Sequence, residues 1–197
     1  GMTFLTRQLT AVALTLPFAA LAVYDLVSNP RFSLPRYALL ILGAAPPLLF
    51  YFWYNWQLTG SPLTAPHELW WDFNRLGFGP DIGMRGGHTP AEGFINTWRN
   101  LNALAVHLFG WPPYFTLALA ALPFALGRAR GWDWLLGAAA FSLVGAHVFY
   151  WADGIMYGPR YIYEMLPALL LLTVRGAQSL AEVGSPRGER VPSAGLV

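Results

Sequence analysis

Tyr37-Ala-Leu-Leu-Ile-Leu-Gly-Ala-Ala-Pro46-Pro47-Leu-Leu-Phe-Tyr-Phe-Trp53-Tyr-Asn-Trp56 runs for twenty residues without a charged side chain. Coiled as a helix at 1.5 Å per residue, it measures about 30 Å, which is the thickness of a bilayer's hydrocarbon core. Similar blocks recur on either side, and together they predict five spans, over 9–27, 37–56, 101–126, 132–152 and 161–183. Composition agrees: 55% of the 197 residues are hydrophobic, 11% are charged, and the mean hydropathy is +0.41. A soluble domain carries roughly 25% charged residues, so this chain has too little polar surface to cover a globule in water. The expected fold is an all-α, multi-pass transmembrane bundle with one long loop (57–99) and one short loop (153–160).

Prolines punctuate the spans: Pro17 in the first, Pro46-Pro47 in the second, Pro112-Pro113 in the third. Each removes a backbone donor and frees a carbonyl that neighbouring helices or water must satisfy. The third block therefore has a second reading, as a helix from Pro90 to Gly110 lying partly at the interface, followed by a short span from Pro112. Thr89 before Pro90, with Glu92 three residues after the threonine, has the pattern of a capped helix start.

All twelve basic residues are arginines. With the tail inside, Arg31, Arg36, Arg128, Arg130, Arg175, Arg187 and Arg190 lie on the cytoplasmic side, against Arg7, Arg75, Arg85, Arg99 and Arg160 outside. Basic residues in short loops set orientation, and the acid-free loop holding Arg31 and Arg36 favours this one. Both polar loops then share the extracytoplasmic face. The nine tryptophans gather at span ends, as an aromatic belt would, except Trp70-Trp71 inside the long loop, which could stack on a sugar or cover a lipid tail. From 184 to 197 the chain is Gly/Ser/Pro/Arg-rich and reads as a disordered tail. Absent cysteine excludes disulfides, thiol nucleophiles and zinc–thiolate sites, and no basic run points to nucleic acid.

Candidate chemistry falls in three places. The long loop carries His67, Glu68, Asp72, Asp81 and His88. Its carboxylates Glu68 and Asp72, with Asp153 of the short loop, are the candidate general bases. His67-Glu68 lacks the second His of a zinc-protease motif, and no spacing signature supports a divalent metal, so no cofactor is assigned. The helix after Thr89 bears Asn96, Asn100 and His107 on one face with Arg99 beside them. These serve either interhelical hydrogen bonding or a site. Gly158-Pro159-Arg160-Tyr161 turns into the last span, where the planar guanidinium of Arg160 suits a phosphate. Glu164 follows one turn deeper, either a simple i,i+4 partner of Arg160 or a functional intramembrane carboxylate. Candidate lipid-phosphate or substrate contacts are therefore Arg160, Tyr161, Glu164, Arg99 and His88.

Tyr54-Asn-Trp-Gln-Leu-Thr-Gly-Ser-Pro62, the Trp-rich loop, His88-Thr-Pro, Leu108-Phe-Gly-Trp-Pro112 and Gly158-Pro-Arg-Tyr-Ile-Tyr-Glu-Met-Leu-Pro167 recur in a familiar order. The succession, over about residues 51–176, resembles the C-terminal half of bacterial GT-C-type membrane glycosyltransferases, the protein-mannosyltransferase and lipid-A aminoarabinose-transferase group. That resemblance implies a multi-pass inner-membrane enzyme taking a sugar from a polyprenyl phosphate, with Arg160 and Tyr161 near the lipid phosphate. The family's catalytic carboxylate lies in a first extracytoplasmic loop of a much longer chain. Here residues 1–10 alone precede the first span, so the expectation is a C-terminal fragment, inactive without an N-terminal half or a partner membrane subunit, or a shortened relative. Two rivals stand beside it. A non-catalytic scaffold would use Ala138-Ala139-Ala140 and the stretch 137–145 for close packing. A transporter would use its broken helices, although no inverted repeat is visible.

Overall fold

A computed structural model describes residues 4–5, 7–84, 86–155 and 158–184; Arg85, Tyr157, Arg187, Arg190 and the tail after Gly184 lie outside the described residues. Among the described residues six α-helices are bounded, in order α1 (Gln8–Ser28), α2 (Pro30–Thr59), α3 (Pro90–His107), α4 (Phe115–Ala125), α5 (Gly131–His147) and α6 (Leu166–Gly184). Short 3₁₀ turns stand at Pro66–Leu69, Leu108–Gly110 and Tyr163–Met165. Among the described residues there is no strand, and isolated antiparallel bridges pair Leu76 with Tyr150, Gly79 with His88 and Ile155 with Pro159.

Among the described residues, three helices are long and apolar enough to cross a membrane: Gln8–Ser28, Pro30–Thr59 and Tyr163–Val183. The second is longer than the sequence pattern suggests. Pro30 occupies its first turn, where a missing N–H costs nothing, and the helix runs unbroken through Pro46-Pro47 for thirty residues, about 45 Å. Behind it, Asp25 ties the α1–α2 turn together. Its carbonyl accepts the Asn29 N–H (2.8 Å), and its carboxylate accepts the Tyr37 hydroxyl (2.7 Å).

The block 101–126 is two pieces, as the alternative reading of its prolines anticipates. Helix α3 ends at His107, the chain turns through Pro112-Pro113 and a left-handed Tyr114 (φ 66°), and α4 restarts at Phe115. With eleven residues α4 is about 16 Å long, half a hydrocarbon core. The fourth block stops as a helix at His147, short of residue 152, and 148–155 follow as irregular chain.

The core is built by α1, α3, α4, α5 and α6 around Ala13, Leu104, Ala120, Leu143, Ile162, Met165 and Leu172. Small residues set the helix separations. A Cβ on Gly176 would collide with the backbone carbonyl of Leu119, so α4 and α6 cross there backbone to backbone. On α5, the small residues Ala139 and Ala140 are buried. In contrast, α2 contributes nothing to this core: of its thirty residues, Ser33 and Asn55 alone are buried.

The bundle has two distinct ends. At one, Arg128 pairs with Glu182 (2.8 Å) and Arg175 with Asp133 (3.4 Å). At the other, the start of α1, the end of α2, the end of α5 and the start of α6 meet under both polar loops, where Arg7 pairs with Glu164 and Gln8 reaches the Tyr51 hydroxyl (3.2 Å).

Candidate functional site: an arginine-lined cavity under the loops

The two loops are sewn to each other and to α3 by polar side chains. Asn74 is the main stitch, its Oδ1 accepting the Tyr150 hydroxyl (3.1 Å) and the Trp151 indole N–H (3.0 Å). The Gly77 N–H donates to the Phe149 carbonyl (2.8 Å). On α3, the amide of Asn96 donates to the Trp151 carbonyl (3.0 Å), and that of Asn100 to the Asp153 carbonyl. Gly93 lets this helix approach closely, because a Cβ there would collide with the Val148 carbonyl. The Asn96/Asn100 stripe is thus a structural seam, and His107 at its end is exposed.

Beneath this cap lies a cavity of about 870 Å³. Its polar lining includes Arg7, Arg75, Arg160, His67, Glu68 and Asn74; its ring and apolar lining includes Phe4, Phe52, Leu63, Trp71, Tyr150 and Tyr161. Three arginines therefore line one space. Arg7 is held by the Glu164 carboxylate and donates to the Arg160 carbonyl (3.3 Å), which clamps the turn before α6 to the start of α1. Among the described residues, Arg75 and Arg160 have no carboxylate partner. Arg160 donates to the Tyr161 hydroxyl (2.8 Å), and its Cζ lies 4.8 Å from the same ring's centroid.

Tyr161 is fixed from three directions. His147 stacks on it (5.7 Å between centroids), Tyr150 meets it edge-on (5.2 Å), and Gly154 backs it so closely that a Cβ would enter the ring. Gly154 also has φ 64°, a conformation that glycine adopts without steric cost. The motif read in sequence as Gly-Pro-Arg-Tyr thus delivers both its polar residues to the cavity.

Other expected residues go elsewhere. His88 is buried, stacks on Phe78 and contacts the Val148 carbonyl (3.2 Å), so it braces the loop and does not line the cavity. Arg99 points outward from α3. Glu164 is the counter-ion of Arg7, with its second oxygen buried and unpartnered, and it does not line the cavity. Of the three carboxylates considered as general bases, Glu68 alone lines the cavity, and its Oε1 accepts the Ala65 N–H (3.2 Å). Asp72 is exposed, and Asp153 accepts the Ile155 N–H (3.3 Å). Among the described residues, no three His, Asp or Glu side chains gather where they could hold a metal ion.

Comparison with protein-family models, with curated proteins and with solved structures finds no match to this chain. The cavity's own chemistry is then the guide. Guanidinium forks bind phosphates with charge-assisted hydrogen bonds, and rings facing the same space offer flat apolar surfaces for stacking. Arg7, Arg75, Asn74 and His147 line the cavity without having been singled out as site residues from the sequence, because no local spacing encodes their meeting there.

Proposed function

We propose that this chain is a glycosyltransferase-like membrane protein, or the C-terminal part of one, holding a polyprenyl-phosphate-linked sugar on the extracytoplasmic side. The observation that carries the reading is the cavity at one end of a set of apolar helices, where Arg75 and Arg160, without a carboxylate partner among the described residues, stand beside rings and aliphatic side chains. In this reading Arg160 and Arg75 grip the phosphate, and Phe4, Phe52 and Leu63 take the first isoprene units. Trp71 and Tyr161 face the sugar, while Glu68 stands as the general base. Five crossings fit as well: α5 packs along α1 and α6, and α4 along α6, so they share the depth of longer helices. The arginine distribution supports placing the cavity outside.

The scaffold rival is less well served. Ala139 and Ala140, which it would offer to a partner, are buried within the chain's own bundle.

Binding of a polyprenyl-phosphate analogue to the purified chain in detergent tests the reading, with Arg160→Ala and Arg128→Ala compared in parallel. A charge-assisted phosphate contact contributes about 1.5–3 kcal/mol, so the first variant is expected to bind about tenfold more weakly or worse. Arg128, at the far end, is expected to change nothing. Equal binding by all three proteins would reduce Arg160 to a structural anchor.

A further inference from the structure

Helix α3 is inside out for a protein surrounded by water. Its buried face is small and polar, formed by Gly93, Thr97 and Asn100 before Leu104 takes over, and it is hydrogen-bonded to the 148–153 segment. Its outer face is apolar: Phe94 is 65% exposed, Ile95 50% and Trp98 66%. At 100° per residue these three and the exposed Val106 fall within roughly 120° of one another, an apolar stripe in which Ala105 is drawn into the core. One polar residue interrupts the stripe, and it is satisfied in place. Asn102 donates to the Trp98 carbonyl (3.2 Å) and accepts the Tyr114 hydroxyl (2.9 Å). Along one edge of the stripe stand the exposed charges of Glu92 and Arg99.

We propose that α3 lies flat in the headgroup layer of the bilayer that the long helices cross, with Phe94, Ile95, Trp98 and Val106 dipping toward the acyl chains. Three observations select lipid as the occupant. Trp98 and Tyr114 are amphipathic rings of the kind that settle at headgroup depth, and Tyr114 sits where the chain leaves α3 to enter α4. The stripe is continuous along the chain with α4, which packs on the membrane-length α6. Arg99 borders the stripe without a carboxylate partner among the described residues, placed to meet lipid phosphates at the surface. Helix α3 is also bonded to the loop that carries Arg160. A helix anchored this way sets the height of the cavity's mouth above the membrane, whatever molecule the cavity holds.

The chain contains no cysteine, so single-cysteine variants carry a unique spin label. Full-length Glu92→Cys, Phe94→Cys, Ile95→Cys, Trp98→Cys and Val106→Cys are labelled in vesicles of phosphatidylcholine and phosphatidylglycerol. Collision rates are then measured with dissolved oxygen, which concentrates in lipid, and with a water-soluble nickel chelate. The expected oxygen-to-nickel ratio is several-fold higher at 94, 95, 98 and 106 than at 92. A ratio at those four positions equal to that at 92 would put the stripe in water and overturn the proposal. Labels immobilised and shielded from both probes would overturn it too, because a protein surface would then cover the stripe. Four positions keep the test decisive if one variant fails to fold.

Discussion

The two ends of the bundle hold similar charges and use them in opposite ways. Where α4, α5 and α6 meet, two arginines are matched, Arg175 to buried Asp133 and Arg128 to Glu182, and the Asp133 carboxylate also accepts the Arg130 backbone N–H (2.8 Å). Where α1 and α6 meet under the loops, Glu164 neutralises Arg7, while Arg75 and Arg160 face a cavity with no acid assigned to them among the described residues. A matched charge stabilises the fold and is then spent. An unmatched one beside a cavity keeps its hydrogen-bonding capacity for something that enters. The contrast separates the arginines that build this protein from those that serve it.

The largest expected effect is at the matched end. Asp133→Ala strips a helix start of its cap and leaves the Arg175 guanidinium, with a side chain 22% exposed, without its carboxylate. Breaking a buried pair by removing one partner costs about 3 kcal/mol or more. A thermal midpoint well below that of the unmodified chain is therefore expected. Much of the loss should return in Asp133→Ala/Arg175→Met, where no charge is stranded. If the double variant is as unstable as the single one, the pair is not what closes this end.

Next comes the stitch over the cavity. Asn74→Leu leaves the Tyr150 hydroxyl and the Trp151 indole N–H without their acceptor. At about 1 kcal/mol for each unmade bond, roughly 2 kcal/mol of stability should go. Unlike Asp133→Ala, this change should also weaken phosphate-analogue binding, since the loop it loosens carries Arg160. Undiminished binding would mean that the cavity does not depend on its cap.

A direct exchange between the ends follows. Arg75→Gln should lower affinity for the analogue about tenfold, equivalent to about 1.4 kcal/mol, with little change in stability. Arg128→Gln should do the reverse on a smaller scale, because its Glu182 partner is half exposed and such pairs contribute at most about 1 kcal/mol. Affinity that falls equally in both variants would erase the distinction between the ends.

What the sequence made legible follows from how local each signal is. The length and apolarity of the blocks mark the three helices that, among the described residues, are long and apolar enough to cross a membrane, and Thr89-Pro90 with Glu92 marks the start of α3, because both are written within a few turns. Arg160 and Tyr161 could be singled out because a Gly-Pro turn aims them. Two things could not be seen. Arg7 meets Glu164 across 157 positions, which spoils the local i,i+4 pairing of Glu164 with Arg160. His88 and Asn74 lie in an irregular loop, where spacing says nothing of direction, and they turned out to be brace and stitch. The break at Pro112-Pro113 is legible as the second reading of its block: Pro112 and Pro113 each lack the N–H that a helix interior needs, and Tyr114 turns left-handed there.

The smallest expected effect tests the cap of α3, on which the cavity's roof rests. Glu92 accepts the Thr89 N–H (2.8 Å) and hydroxyl (3.1 Å), while the Glu92 N–H donates to the Thr89 Oγ1 (3.3 Å). These bonds to the charged form, the backbone one first, hold the Glu92 carboxyl below the usual glutamate range. The folded chain thus binds this proton less readily than the unfolded chain does. The contribution to stability is complete above the unfolded group's pKa, near 4.3, and disappears as pH falls through the lower folded value. Glu92→Gln can still make the reciprocal cap bonds but cannot titrate, and it lacks the negative charge that favours a helix N-terminus. The unmodified chain should therefore melt slightly above Glu92→Gln at pH 7, and the gap should close on acidification below about pH 4. A gap that persists at low pH would assign the effect to hydrogen-bond geometry instead of charge. The first turn of α3 would then be held by the loop contact at Gly93, and the roof of the cavity would owe its position to packing.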